Sequence, residues 1–230
     1  MKVFNTAEFN IERAIFEARF ANSLISIDRQ DASKLSKKFK KIFQDIQYEE
    51  DKFLNLQNKE DNINGNVLPE KIGMTANLNI NLKKFQERII QFVPTSLYIL
   101  DVDKLSRIGY RVQFISSKSS MEEAIKSLLN VVNFAQNDLT QIGNLVGLVI
   151  SLTTEYRNVK FKLSMIPGMS QVVEVRDGAT RTERNFGVMF DCDVFQENID
   201  QHNITEFLRD ADNFLRNNVF PVINSVEVDQ

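Results

Sequence analysis

The 230-residue chain has one cysteine, one histidine, no tryptophan, eight glycines and four prolines. One Cys and one His cannot supply a Cys/His zinc site, an iron–sulfur cluster or a disulfide framework. No cofactor, no metal ligand set and no catalytic constellation is expected from them. Eight glycines leave little material for phosphate-cradling loops, and neither the P-loop nor the dinucleotide-binding glycine pattern occurs. No serine sits in a nucleophile-elbow pattern. No apolar run reaches the ~18–20 residues of a membrane span. The first ten residues are polar, carry Glu8, and lack the basic and apolar regions of a secretory signal. No membrane partner is expected, and a lone cysteine fits a reducing, cytoplasmic compartment. A net charge of −3 and a pI of 5.4 argue against a surface that coats nucleic acid as a whole.

What the chain does have is 43% hydrophobic residues, 26% charged residues and 18 phenylalanines, the composition of a protein with a sizeable core. Period-two alternation, the mark of a half-buried strand, dominates. It predicts strands over Ala14–Phe20, Met74–Leu82, Ile89–Val93, Ser96–Val102 and Arg107–Ser116, with Pro94 at a strand end. In the second half, Leu145–Thr154 and Val159–Ile166 read as a hairpin around Glu155–Asn158. Gln171–Arg176 and Arg181–Phe195 flank the turn dipeptide Asp177-Gly178.

Three helices are predicted. The first, Ala32–Phe43, buries Leu35, Phe39, Ile42 and Phe43. The second opens on the capping-box spacing Ser120…Glu123 and continues through Ile125, Leu128, Leu129 and Val132. The third opens on Asn203…Glu206 and ends before Pro221. Asn58–Gly73, rich in Asn, Asp and Gly, reads as a long loop. The order predicts a single α+β domain over residues 1–230, with a twisted antiparallel sheet and about three principal helices. The same order hints at two similar halves, although no sequence repeat accompanies it.

Four features could carry chemistry. Lys34, Lys37, Lys38 and Lys41 fall at i, i+3, i+4 and i+7, a helical face that would attract an anionic partner such as nucleic acid; a solvated outer face opposite the apolar stripe is the plainer reading. Asp191 and Asp193 share one face of a strand and could hold a divalent cation for hydrolysis, if Asp101 or Asp103 supplied a third carboxylate. Two solvated strand aspartates are the plainer reading, with Cys192 as a core residue on the opposite face. His202 stands before the third helix with no nucleophile linked to it by a motif. Arg107, Arg111, Arg176, Arg181 and Arg184 could form a polar sheet face that reads acidic partners, or pair across strands with Glu155, Glu174 and Glu183.

The segments Ala14-Ile-Phe-Glu-Ala-Arg-Phe20, Arg107-Ile-Gly-Tyr-Arg111 and Phe186-Gly-Val-Met-Phe-Asp-Cys-Asp193, in this order and spacing, span most of the chain. They resemble a sporadically distributed bacterial family of uncharacterised α+β proteins. That resemblance implies the fold class and no established activity. At the level of architecture the chain is also similar to the export chaperone SecB and its relatives, which implies binding of unfolded or partner chains. Scarce reactive side chains and abundant Phe lead to the expectation of a non-catalytic interaction or assembly protein. It would bind another protein or a copy of itself, in a chaperone-like manner, through sheet edges and apolar grooves. Nucleic-acid association through the lysines and metal-dependent hydrolysis are the alternatives.

Overall fold

A computed structural model describes residues 3–24, 26–77, 80–132, 147–156, 159–176, 179–200 and 203–225; the side chains of residue 156 and of 170–184 lie outside that description. Two aromatic residues set its centre. Phe16 lies on β1 (Asn10–Phe20), directly opposite Tyr110 on β6 (Lys104–Lys118), and both are fully buried. From this antiparallel pair the sheet grows in both directions.

On one side β5 (Lys71–Asn77), β4 (Ile63–Leu68), β3 (Phe53–Asn58) and β2 (Asp45–Glu49) follow β1. On the other, β9 (Ala179–Asp200), β8 (Val159–Arg176) and β7 (Ile150–Tyr156) follow β6. Every pairing is antiparallel, in the order β2-β3-β4-β5-β1-β6-β9-β8-β7. The chain is thus α+β with a twisted nine-stranded antiparallel sheet among the described residues.

The two halves repeat one plan. In each, a strand is followed by a helix and then a meander whose last strand returns to pair with the first. The first half runs β1, α1 (Arg29–Phe39), β2 to β5, then α2 (Leu82–Ile99). The second runs β6, α3 (Met121–Val132), β7 to β9, then α4 (Ile204–Phe214). The leading strands β1 and β6 meet antiparallel at the middle, so the halves are related by an approximate two-fold axis.

All four helices pack on one face of the sheet. Ala14, Phe16, Ala18, Ile108, Tyr110, Val112, Phe190, Cys192 and Val194 enter one apolar cluster with Leu35, Phe39, Phe92, Leu128 and Phe207. The alternate strand residues form an opposite face that carries no helix among the described residues.

Three readings of the sequence are corrected. First, Ile89–Val93 and Ser96–Val102 are not strands: Leu82–Ile99 is a fourth principal helix. Its buried residues Phe85, Ile89, Phe92, Val93, Ser96 and Leu97 follow the helical period, and Asn81 caps it through the Lys84 N–H at 3.0 Å. Pro94, which pointed to a strand end, sits inside this helix and leaves the Ile90 carbonyl without its i→i+4 donor.

Second, Asn58–Gly73 is not a loop. β4 occupies its middle, with Ile63, Gly65 and Val67 facing the helices and Asn64, Asn66 and Leu68 facing outward. Gly65 faces inward beneath the rings of Phe43 and Phe92, which lie 3.4 Å from where a Cβ would stand. Third, two elements end early: the first helix stops at Phe39, short of Phe43, and the strand expected over Met74–Leu82 stops at Asn77, with Leu82 the first residue of the helix Leu82–Ile99.

The Ser120 cap is present, with its partners shifted by one residue. The Ser120 hydroxyl accepts the Glu123 N–H, while the Glu123 carboxylate accepts the Ser119 N–H at 2.8 Å. Asn203 makes no side-chain cap bond. The Asp177-Gly178 turn and His202 lie outside the described residues; β8 and β9 do pair on both sides of that turn, from Lys160↔Phe195 to Arg176↔Ala179.

Candidate functional site

The outward face of the sheet brings together four of the polar residues that the sequence singled out, Arg107, Arg111, Asp191 and Asp193. Its centre is a lattice of ion pairs built by cross-strand neighbours. Glu17 on β1 accepts from Arg19 at 2.5 Å and from Lys71 on β5 at 2.7 Å. Burial alone raises the Glu17 carboxyl, but the two cations outweigh it and hold the group below the usual carboxylate range.

On β6, Arg111 stands opposite Asp193 yet reaches diagonally to Asp191. It donates there through Nε at 2.6 Å and through Nη2. Arg107 runs across Gly109, which has no side chain to obstruct it. Its guanidinium lies 4.4 Å from the Phe195 ring centroid and donates to Asp193 at 2.8 Å. Burial pushes the Asp193 carboxyl up despite the two nearby arginines.

Asp191 and Asp193 are therefore each engaged by an arginine. Asp101 and Asp103 precede β6; Asp103, the nearer, stands eight to ten residues before the positions opposite this pair, roughly 26–34 Å at strand rise. Among the described residues no three His, Cys, Asp or Glu side chains cluster so as to hold a metal ion. Cys192 points into the core, where burial pushes its thiol up and keeps it neutral. Arg107 and Arg111 pair with aspartates on β9. The side chains of Arg176, Arg181, Arg184, Glu174 and Glu183 lie outside the described residues.

The lysine face is only partly assembled. Lys34 is neutralised by Asp31 at 2.7 Å. Lys37 and Lys38 are exposed in the last turn of α1, where the helix C-terminus favours cations, and Lys41 falls in the turn beyond the helix end.

The two outer strands differ. At one end, β2 carries Asp45 and Glu49 on its outward face and is five residues long, a charged and short edge of the kind that resists pairing. At the other end, β7 reads Ile-Ser-Leu-Thr-Thr-Glu-Tyr, without Lys, Arg or Pro. Ser151 to Glu155 are all exposed, with Leu152 39% accessible. Among the described residues, β7 is hydrogen-bonded on one side only, to β8 from Ile150↔Met165 to Tyr156↔Val159. Sequence reasoning placed a strand here but could not tell that it would be an outer one.

These observations define an α+β protein with a bare, ion-paired sheet face and one unguarded sheet edge. No protein-family model and no curated protein sequence matches the chain. Among the described residues, no helix is long and apolar enough to cross a membrane.

Proposed function

We propose that this is a non-catalytic assembly protein that associates with a second copy of itself by antiparallel strand addition at β7. The observation that carries the reading is the outer edge of that strand, a row of backbone donors and acceptors with no partner among the described residues and no guarding cation or proline in the strand.

Register favours a second copy as the occupant. A two-fold centred on Thr153 pairs all seven β7 residues: Leu152 faces Thr154, Ser151 faces Glu155, and Ile150 faces Tyr156. No like charges meet, and Leu152 gains a neighbour on the apolar side. The same operation on β2, centred on Gln47, sets Asp45 against Glu49 twice, which repels. The dimer would carry one continuous sheet with both bare faces on the same side. An extended segment of an unfolded or partner protein would use the same edge in the chaperone-like version of this reading. A reducing cytoplasmic compartment goes with it, since Cys192 is unpaired.

The alternatives have less support. The lysine cluster is partly neutralised and broken by the end of α1, and the aspartate pair is engaged by arginines.

Light scattering coupled to size-exclusion chromatography tests the proposal. At ~100 μM the protein is expected at about twice its 26.5 kDa chain mass. Leu152→Lys combined with Thr154→Lys places lysines opposite one another across the two-fold, and both positions are already exposed. That variant is expected to be monomeric with an unchanged circular dichroism spectrum. A monomeric unaltered protein, or a variant that still dimerises, contradicts the proposal.

A further inference from the structure

On the helix side, away from β7, a cleft of about 330 Å³ opens between the start of α2 and the C-terminal helical segment. Its walls are Phe9, Phe114 and Phe220; Phe114 lies 6.3 Å from Phe9 and 5.2 Å from Phe220 between ring centroids. Leu82 and Leu215 complete the apolar lining. The 3-10 turn Thr6–Glu8 is fixed beside it, because Thr6 and Asn224 exchange two hydrogen bonds of 2.8 Å.

The cleft depends on an irregularity in the chain. After α4 the backbone continues as a π-helix, Leu215–Val219, in which the Phe220 N–H donates to the Leu215 carbonyl. An i→i+5 turn stacks residues five apart, whereas α-helical geometry would set them about 140° from one another. Leu215 and Phe220 consequently line the same cleft, with Arg216 at its rim. From there the chain enters the short α5 (Phe220–Asn224).

The polar groups at the rim have one predominant sign. Lys83 and Arg216 face a single acid, Asp212. Arg216 donates to Asp212 through Nε alone, at 2.7 Å. Its two terminal nitrogens make no hydrogen bond to another described residue, so a fork of N–H donors remains for a planar anion.

We infer that this cleft is a binding site for a small monocarboxylate with an aromatic body, its ring held among the three phenylalanines and its carboxylate met by Arg216 and Lys83. The volume sits at the low end for ligand pockets, which suits a single ring with a short acidic tail. Edge-to-face packing on Phe114 and Phe220 supplies the attraction for the ring, and the net positive rim selects the anion over a neutral analogue.

Titration with 3-phenylpropionate and with its neutral counterpart 3-phenylpropanol, followed by two-dimensional NMR at low salt, tests this. The acid is expected to bind about tenfold more tightly than the alcohol, the gain of a charge-assisted contact. Shifts are expected at Leu82, Leu215 and Phe220. Arg216→Gln should bring the acid to the level of the alcohol and leave the alcohol unchanged. Lys83→Gln, at an exposed position, should weaken the acid alone by a smaller factor and retains the test if Arg216→Gln does not fold. Leu82→Trp, which fills the cleft, should abolish both. Equal binding of acid and alcohol, shifts confined to other residues, or no binding at millimolar concentration overturns the inference.

Discussion

Gly187 shows how one position can be fixed by backbone alone. A Cβ there would meet the Ser116 carbonyl oxygen at 2.5 Å and Ile115 Cγ1 at 2.8 Å, and the carbonyl belongs to the neighbouring strand. Gly187→Ala is therefore expected to destabilise the protein by about 1–3 kcal/mol in chemical denaturation, the usual cost of overpacking. Gly73 offers a contrast, because the atom in the way there is the end of the flexible Asn66 side chain, which can swing aside. Neither constraint is visible in sequence, where both glycines read only as breaks in alternation. Asp61 carries a different constraint. It is 8% exposed at its side chain and is held by Lys84 and by Arg88, which pins the β3–β4 turn to α2. Burial raises its carboxyl, but the two cations prevail and hold it below its ordinary value. The stability that Asp61 contributes is complete above the unfolded carboxylate pKa of about 3.9 and is lost as the pH falls through the lower folded value. Asp61→Asn is expected to cost about 1–3 kcal/mol at pH 7. In thermal melts the difference from the unaltered protein should shrink as the pH is brought below that range.

The fourth helix was obscured by a single residue. Phe85, Ile89, Phe92 and Leu97 carry the helical period in plain view, yet Pro94 and the short apolar runs around it favour strands on local grounds. Burial of that stripe against Phe39 and Phe43, at ring distances of 4.9 and 5.5 Å from Phe92, supports the helix through its proline. Pro94→Ala restores a donor for the Ile90 carbonyl. It is expected to raise stability by about 1–3 kcal/mol, read as a higher denaturation midpoint. Loss of stability would mean that the helix needs the bend. The β4 strand was hidden for the converse reason: Asn and Gly are poor strand formers, and the rings of Phe43 and Phe92 that lie over Gly65 come from distant parts of the chain. Alternating strands such as β1 and β6 were legible because half-burial writes its period directly into sequence. The paired aspartates were legible as a motif but not as ion pairs, since their arginines stand some 80 residues away in sequence.

At the scale of the molecule, the two-fold plan explains both the long sheet and its unequal ends. Each half contributes a meander that begins with an outer strand, β2 in one and β7 in the other, and of these two only β2 carries charges that would oppose a copy of itself. Assembly through β7 is the central claim, and cysteine cross-linking examines it at a single residue. Thr153 sits on the proposed axis, so Thr153→Cys brings two thiols to neighbouring positions across the dimer, within reach of a disulfide. Cys192 is buried and does not compete. Mild oxidation of Thr153→Cys is expected to convert most of the protein to a covalent dimer on a non-reducing gel, with Thr75→Cys on the bare face as the unlinked control. Cross-linking of Thr153→Cys no greater than that of the control would contradict the account.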